Sequence, residues 1–287
     1  MQRAWLVPAE NDQMTLQAIG TTTRPAALLL GHPGHELRVY GWSRILHPTV
    51  CVLTDGSGSA SASRLEKTTR ILSTLGARMG PVYGRFTDRD FYKRIQERDL
   101  AQFTTLADEI AQDWIDAGIE SVASDAWEGY CPTHDLCCEI ARAAAAIVEH
   151  STGRPIRRYT FRLTELQFEP DEAQGEGVVH IPLDDSLLQE KIAAAKSYDE
   201  LRREVDQALA WKGEEYFRSE WLIPARDAPP PGPGYKPLYE EIGERRVAEG
   251  KYAAVLRFAE HVLPIVAALR AHAARRSAAA PAPAAIA

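Results

Sequence analysis

Apolar positions in the first half of the chain gather in three short runs, each stopped by turn residues. Ala26–Leu30 ends at Gly31-His32-Pro33-Gly34, residues 50–53 end at Thr54-Asp55-Gly56 and a Ser/Gly loop, and residues 121–124 end at Asp125. Runs this short, bounded in this way, read as buried strands. Helical periodicity fills the gaps. Residues 64–75 stop near Gly76, and 100–117 carry Leu106, Ile110 and Trp114 on one face and close at Gly118. Residues 137–148 are Ala-rich and apolar on most faces, which predicts a buried helix. This alternation predicts an α/β fold, Rossmann-like, with a mostly parallel sheet flanked by helices. Ligands in such folds bind at the carboxyl ends of strands, which is where the unusual residues of this chain fall.

Further along, Tyr159-Thr160-Phe161 and residues 178–181 read as strands, and 187–195 and 199–211 as helices. Pro229-Pro230-Pro231-Gly232-Pro233-Gly234 cannot be helical and reads as an extended linker or surface loop. Helices are expected at 238–249 and 253–274. The pattern divides the chain into an α/β domain over 1–225, a Pro-rich linker with C-terminal helices over 226–276, and a disordered Ala/Pro-rich tail over 277–287. Residues 1–23 are polar and irregular. The stretch 239–264 reads as a packed surface helix pair, with a lid or a homo-oligomer contact as the other roles open to it.

Composition narrows the function classes. The 287 residues are 45% hydrophobic and 25% charged, as in ordinary soluble domains, and the net charge of −7 argues against general nucleic-acid binding. No run of about 18 apolar residues is present, so no membrane-spanning helix is expected. The start, MQRAWLVPAENDQ, lacks the charged head and apolar stretch of a secretory signal. Four cysteines in a chain of this length are no disulfide framework. A cytoplasmic protein acting on a small molecule is expected.

Three constellations could carry chemistry. His32-Pro33-Gly34-His35-Glu36 follows the first strand, and two histidines three apart on a strand-end loop can converge on a metal, with Glu36 beside them. An anion-binding loop or a hydrogen-bonded histidine are the plainer alternatives. Glu128-Gly129-Tyr130-Cys131-Pro132-Thr133-His134-Asp135 follows the third strand and opens a helix. His134 could add a third ligand and Cys131 a fourth; four protein ligands mark a structural site, three plus an open position a catalytic one. Equally, Cys131 could be a small buried residue and His134 a helix cap. The third is Thr54-Asp55-Gly56-Ser57-Gly58-Ser59, which lacks the Lys-Ser/Thr of a nucleotide-binding P-loop and offers Asp55 as an acid/base group or a turn residue.

Taken in order, these motifs over roughly residues 25–225 resemble the PIG-L/LmbE-like family of zinc-dependent N-acetylglucosaminyl deacetylases, with His-Pro-Gly-His-Glu in place of the family's His-Pro-Asp-Asp-Glu. The resemblance implies a metal held by His32, His35 and His134, with His35 in the place of a liganding aspartate. Gly34 stands where the family carries its general base. Cys131-Pro132-Thr133-His134 takes the place of a His-Pro-Asp-His stretch, and Tyr130 resembles the active-site tyrosine near the substrate carbonyl. A neutral His₃ set suits Zn²⁺ and also Fe²⁺. Asp55 is expected to supply the missing base, with Glu36 next and Asp125 and Glu128 as further carboxylates; restoring a carboxylate by Gly34→Asp is expected to recover part of the loss from Asp55→Asn. The implied function is a metal-dependent amidohydrolase, an N-deacylase hydrolysing the C–N amide bond of an N-acylated amino sugar, glycoconjugate or related small metabolite. A non-hydrolytic metalloenzyme with a His₃ site and a non-enzymatic sugar-binding protein are the alternatives.

Overall fold

The computed structural model describes residues 24–58, 62–164 and 175–279. Its seven-stranded sheet confirms the α/β class. The strands are β1 (Ala26–Leu30), β2 (Thr49–Thr54), β3 (Arg78–Phe86), β4 (Ser121–Asp125), β5 (Arg157–Phe161), β6 (Val179–Pro182) and β7 (Ser219–Pro224), in the order β3-β2-β1-β4-β5-β7-β6. The first five run parallel, β7 lies antiparallel to β5, and β6 closes the edge antiparallel to β7. From β1 the chain builds outward to β2 and β3, then returns past β1 to add β4 and β5. The crevice between the carboxyl ends of β1 and β4 is therefore the topological switch point, where doubly wound sheets bind ligands.

Every residue of β1, β2 and β4 is buried, as expected of strands covered on both faces. Helices α1 (Tyr40–Leu46), α2 (Leu65–Thr74), α3 (Asp88–Glu97), α4 (Leu100–Asp116) and α5 (Pro132–Thr152) connect the parallel strands. α6 (Asp185–Lys196) and α7 (Arg202–Lys212) lie between β6 and β7, while α8 (Leu238–Ala248) and α9 (Leu263–Ala279) follow the sheet. One apolar core joins β1 and β2 to α4, α5 and α9 through Leu29, Trp114, Ile140, Val266 and Leu269. A second core, on the opposite side, holds Leu28, Trp42, Leu188 and Leu222.

α1, α3 and β7 carry no clear signal in the sequence pattern, and two further departures have a local cause. β3 was hidden by Gly80, Pro81 and Gly84, residues that weaken a strand reading but are tolerated at a sheet edge with an irregular register. The helix expected from 253 begins instead with a π-helical turn at Phe258–Val262. Pro264 cannot donate the next helical hydrogen bond, so the wider turn precedes it. Residues 1–23, Ser59 and the tail from 280 lie outside the described residues, and 277–279 continue the backbone of α9. No helix among the described residues is long and apolar enough to cross a membrane.

Candidate metal centre at the switch point

The loop after β1 turns sharply because two glycines permit it. A Cβ on Gly31 would stand 2.7 Å from Asp125 Oδ2, so glycine admits the carboxylate, which accepts the Gly31 N–H at 2.9 Å. Gly34 has φ of 102°, in the left-handed region that favours glycine. The short 3₁₀ turn His35–Val39 then brings His35 back over the strand ends. Across the crevice, β4 ends in Asp125, and α5 starts at Pro132, which fits a first helical position. His134 occupies the first turn of α5.

These elements gather the three sequence-predicted histidines. Ring centroids of His32, His35 and His134 lie 5.3, 5.2 and 4.7 Å apart in pairs. His32 and His134 are buried, at 9% and 7% exposure. The donor atoms fall into two overlapping triads: His32, Cys131 and His134 lie within 4.8 Å of one another, and so do His35, Asp125 and His134. Cys131 Sγ is 3.8 Å from His32 Nε2.

The ring nitrogens are sorted by their partners. Thr54 Oγ1 donates to the Gly31 carbonyl, so it accepts from His32 Nδ1 at 2.7 Å; Asp88 Oδ1 lies 3.0 Å from the same nitrogen. His35 Nδ1 donates to the Asp125 carboxylate at 2.9 Å. Both rings thus donate from Nδ1, which leaves Nε2 as the atom free for an ion, the usual arrangement for imidazole ligands oriented by carboxylates. Nδ1 of buried His134 has no hydrogen-bond partner. An orphaned buried nitrogen within a nitrogen- and sulfur-rich donor set fits a borderline divalent cation such as Zn²⁺ or Fe²⁺.

The electrostatics follow from burial and close charges. Desolvation lowers His32, but the Asp88 hydrogen bond and Cys131 outweigh it and push the imidazole up to about 10. Burial raises the Cys131 thiol, yet His134 and His32 together pull it well below its ordinary value. Burial opposes ionisation of Asp125 and of Asp88 as well; His35 overcomes this for the first and His32 for the second, so both are lowered. Desolvation dominates at His35, which falls to about 4. Protons and a divalent cation compete for such a donor set.

The remaining predicted groups each have partners of their own. Glu36 is fully buried; its carboxylate accepts the Gly34 N–H at 2.8 Å and the hydroxyl of Tyr198, and burial raises its pKa. Tyr130 is 47% exposed, with its ring 6.4 Å from that of His134. Glu128 accepts the N–H groups of Leu163 and Thr164. Asp55 Oδ1 accepts the Ser57 N–H at 2.9 Å within its own turn. Gly34→Asp would be strained: the backbone is left-handed there, and a Cβ would stand 3.0 Å from Leu201 Cδ1. Asp88, the direct partner of His32, escaped the sequence reading. It opens α3, far from both histidine motifs, and its neighbourhood signals only a helix start capped by Thr87.

No family model matches the sequence, and no curated protein matches it. Among solved structures, the chain is similar to the A40926 pseudoaglycone deacetylase Dbv21, with 16% identity and a TM-score of 0.48 over 72% of this chain and 100% of that one. The conserved protein TT1542 from Thermus thermophilus aligns over 73% of this chain and 99% of its own, with 14% identity and a TM-score of 0.43. A deacetylase of the teicoplanin biosynthesis pathway, in complex with bog, aligns over 71% and 100%, with 14% identity and a TM-score of 0.43.

Proposed function

We propose that the protein is a metal-dependent amidohydrolase that removes an acyl group from an N-acylated amino sugar or related glycoconjugate. The observation that carries this reading is the convergence of His32, His35 and His134 at the sheet's switch point, with Nδ1 of His32 and His35 tied to carboxylates and a buried nitrogen of His134 unpartnered. These three residues would hold the ion, with Cys131 beside His32 and His134, and Asp125 beside His35 and His134. Bound there, Zn²⁺ or Fe²⁺ supplies Lewis acidity toward an amide carbonyl and acidifies water.

The chain's own groups do the rest. Asp88 and Asp125 hold the imidazoles in one tautomer and orientation. Tyr130, half-exposed at the rim of the cluster, is the donor assigned to the substrate carbonyl. Proton transfer falls to a carboxylate, and Asp55 and Glu36 are the candidates carried from the sequence. Burial raises the pKa of Glu36, whose carboxylate accepts from Tyr198 and the Gly34 N–H. A second reading, a closed His/Cys centre without hydrolytic activity, is favoured by one observation, the Cys131 Sγ to His32 Nε2 separation of 3.8 Å.

Elemental analysis of purified protein, paired with deacylation assays on N-acetylated amino sugars, tests the proposal. One divalent ion per chain is expected, and the triple variant His32→Ala, His35→Ala, His134→Ala should contain none. Unchanged metal in that variant, or no turnover of any N-acyl substrate by loaded protein, overturns it.

A further inference from the structure

Beside the histidine cluster lies a cavity of about 580 Å³, within the usual range for small-molecule sites. His35, His134 and Tyr130 are part of its lining. The rest of the lining has a different character. Leu201, Val205, Ala208 and Leu209 line the cavity at helical spacing along α7 and the turn before it, joined by Ile192 of α6 and by Phe217. Such a stripe is the pattern by which a helix packs into a core, yet no residue of α7 is fully buried. Its apolar face borders the cavity.

The motif backbone is shaped to this wall. Gly34 carries no side chain, and Leu201 Cδ1 stands 3.0 Å from where a Cβ would be. An apolar group thus approaches the loop between the two histidines. Of the four charged residues in the lining, Lys191 is paired with Glu220 at 2.9 Å and Arg38 donates to the Leu163 carbonyl, while Arg64 and Glu204 remain as polar points in a mostly apolar wall.

We infer that this cavity takes an aliphatic acyl chain, so that the substrate is a long-chain N-acyl amino sugar in preference to an N-acetyl one. The inference rests on the amidohydrolase reading above and deepens it. An acetyl methyl would touch little of the apolar wall. A sugar would lose hydration against leucine and valine without regaining hydrogen bonds, whereas at the mouth Tyr130 and Thr164 offer polar partners. The acyl chain is the part of such a molecule that gains from the wall, and the shared lining of His35 and His134 puts the chain's carbonyl end at the cluster.

The test is a series of glucosamines carrying N-acetyl, N-butanoyl, N-hexanoyl, N-octanoyl and N-decanoyl groups, assayed with metal-loaded protein. The expected result is a rise in kcat/KM of about fourfold per added methylene until the cavity is full. Ala208→Trp, which fills the cavity, should flatten the series; Val205→Phe serves the same purpose should the first variant fail to fold. A flat or falling series while N-acetylglucosamine is hydrolysed overturns the chain pocket and leaves the amidohydrolase reading intact. An equal gain from octyl N-acetylglucosaminide, with the chain on the other side of the sugar, also overturns the assignment. Calorimetric binding of the same compounds is read separately. Affinity that rises with acyl length without turnover supports the pocket and overturns the hydrolytic reading instead.

Discussion

The two walls of the cavity are built on opposite principles. At the sheet end His35 and His134 line the cavity, and behind them stands a polar cluster in which His32, Cys131, Asp88 and Asp125 join the two through hydrogen bonds and charge. The helical wall of α6 and α7 presents half-buried apolar side chains that hold no partner by direction. Directional contacts fix geometry to fractions of an ångström, which chemistry needs. Apolar contacts tolerate ligands of different length, which selectivity needs. On the proposed reading, reaction falls to one wall and substrate choice to the other.

The largest effect should come from breaking the helical wall's anchor. Glu220 of β7 is 2% exposed; its carboxylate accepts the N–H groups of Gly41 and Trp42 at the start of α1 and pairs with Lys191 of α6. One side chain thereby ties two helices to the sheet. Glu220→Ala leaves a poorly hydrated ammonium and two N–H groups without their acceptor, a loss of about 3–5 kcal/mol for a buried pair broken on one side. Urea denaturation should read this as a lower midpoint. Because the sheet-end wall lies elsewhere, metal content of the folded fraction should be unchanged. A variant as stable as the parent, or one that is folded but metal-free, would show that the two walls are not separable in this way.

The two walls were also unequally legible in the sequence. β1, β2 and β4 and the loops that follow them stood out because short apolar runs meet turn residues there, and His32, His35 and His134 followed from their place at strand ends. Asp88, Tyr198 and Glu220 did not. Each acts across 56 or more residues of chain on a partner in another element, and nothing in its own neighbourhood marks that role. The stripe on α7 was visible as a helix, but periodicity alone cannot say whether an apolar face meets a core or a cavity. The edge strand β3 was lost for the opposite reason: its glycines and proline, read locally, argue against the strand that the neighbouring β2 imposes.

A smaller effect separates two carboxylates within the sheet-end wall. Asp88 touches His32 directly, while Asp55 serves the turn after β2 by accepting the Ser57 N–H. Loss of a carboxylate that orients a ligating imidazole costs about 10–100-fold in metal affinity. Asp88→Asn should therefore weaken zinc binding by that factor in chelator competition, and Asp55→Asn should leave zinc affinity unchanged. Asp55→Asn with normal zinc content but kcat down about 10²-fold would identify Asp55 as the base. Full activity in that variant, with Glu36→Gln inactive, would give the role to Glu36.

The smallest effect concerns the fourth donor. Cys131 Sγ lies near enough to His32 and His134 to join them on one ion, and its neighbours favour the thiolate. Three imidazoles remain without it, and three protein ligands suffice for a catalytic zinc site with an open position. Cys131→Ser should therefore keep one ion per chain, with affinity reduced by no more than about tenfold, a step of roughly 1.4 kcal/mol. Cobalt substitution reads the same point without an assay of activity, since a thiolate ligand adds an intense near-ultraviolet charge-transfer band. The band should be absent from the parent protein and unaltered by the substitution. A strong band in the parent that disappears in Cys131→Ser, together with loss of the ion, would mean that sulfur fills the open position. The sheet-end wall would then be a closed structural centre, and the cavity beside it a binding site without hydrolysis.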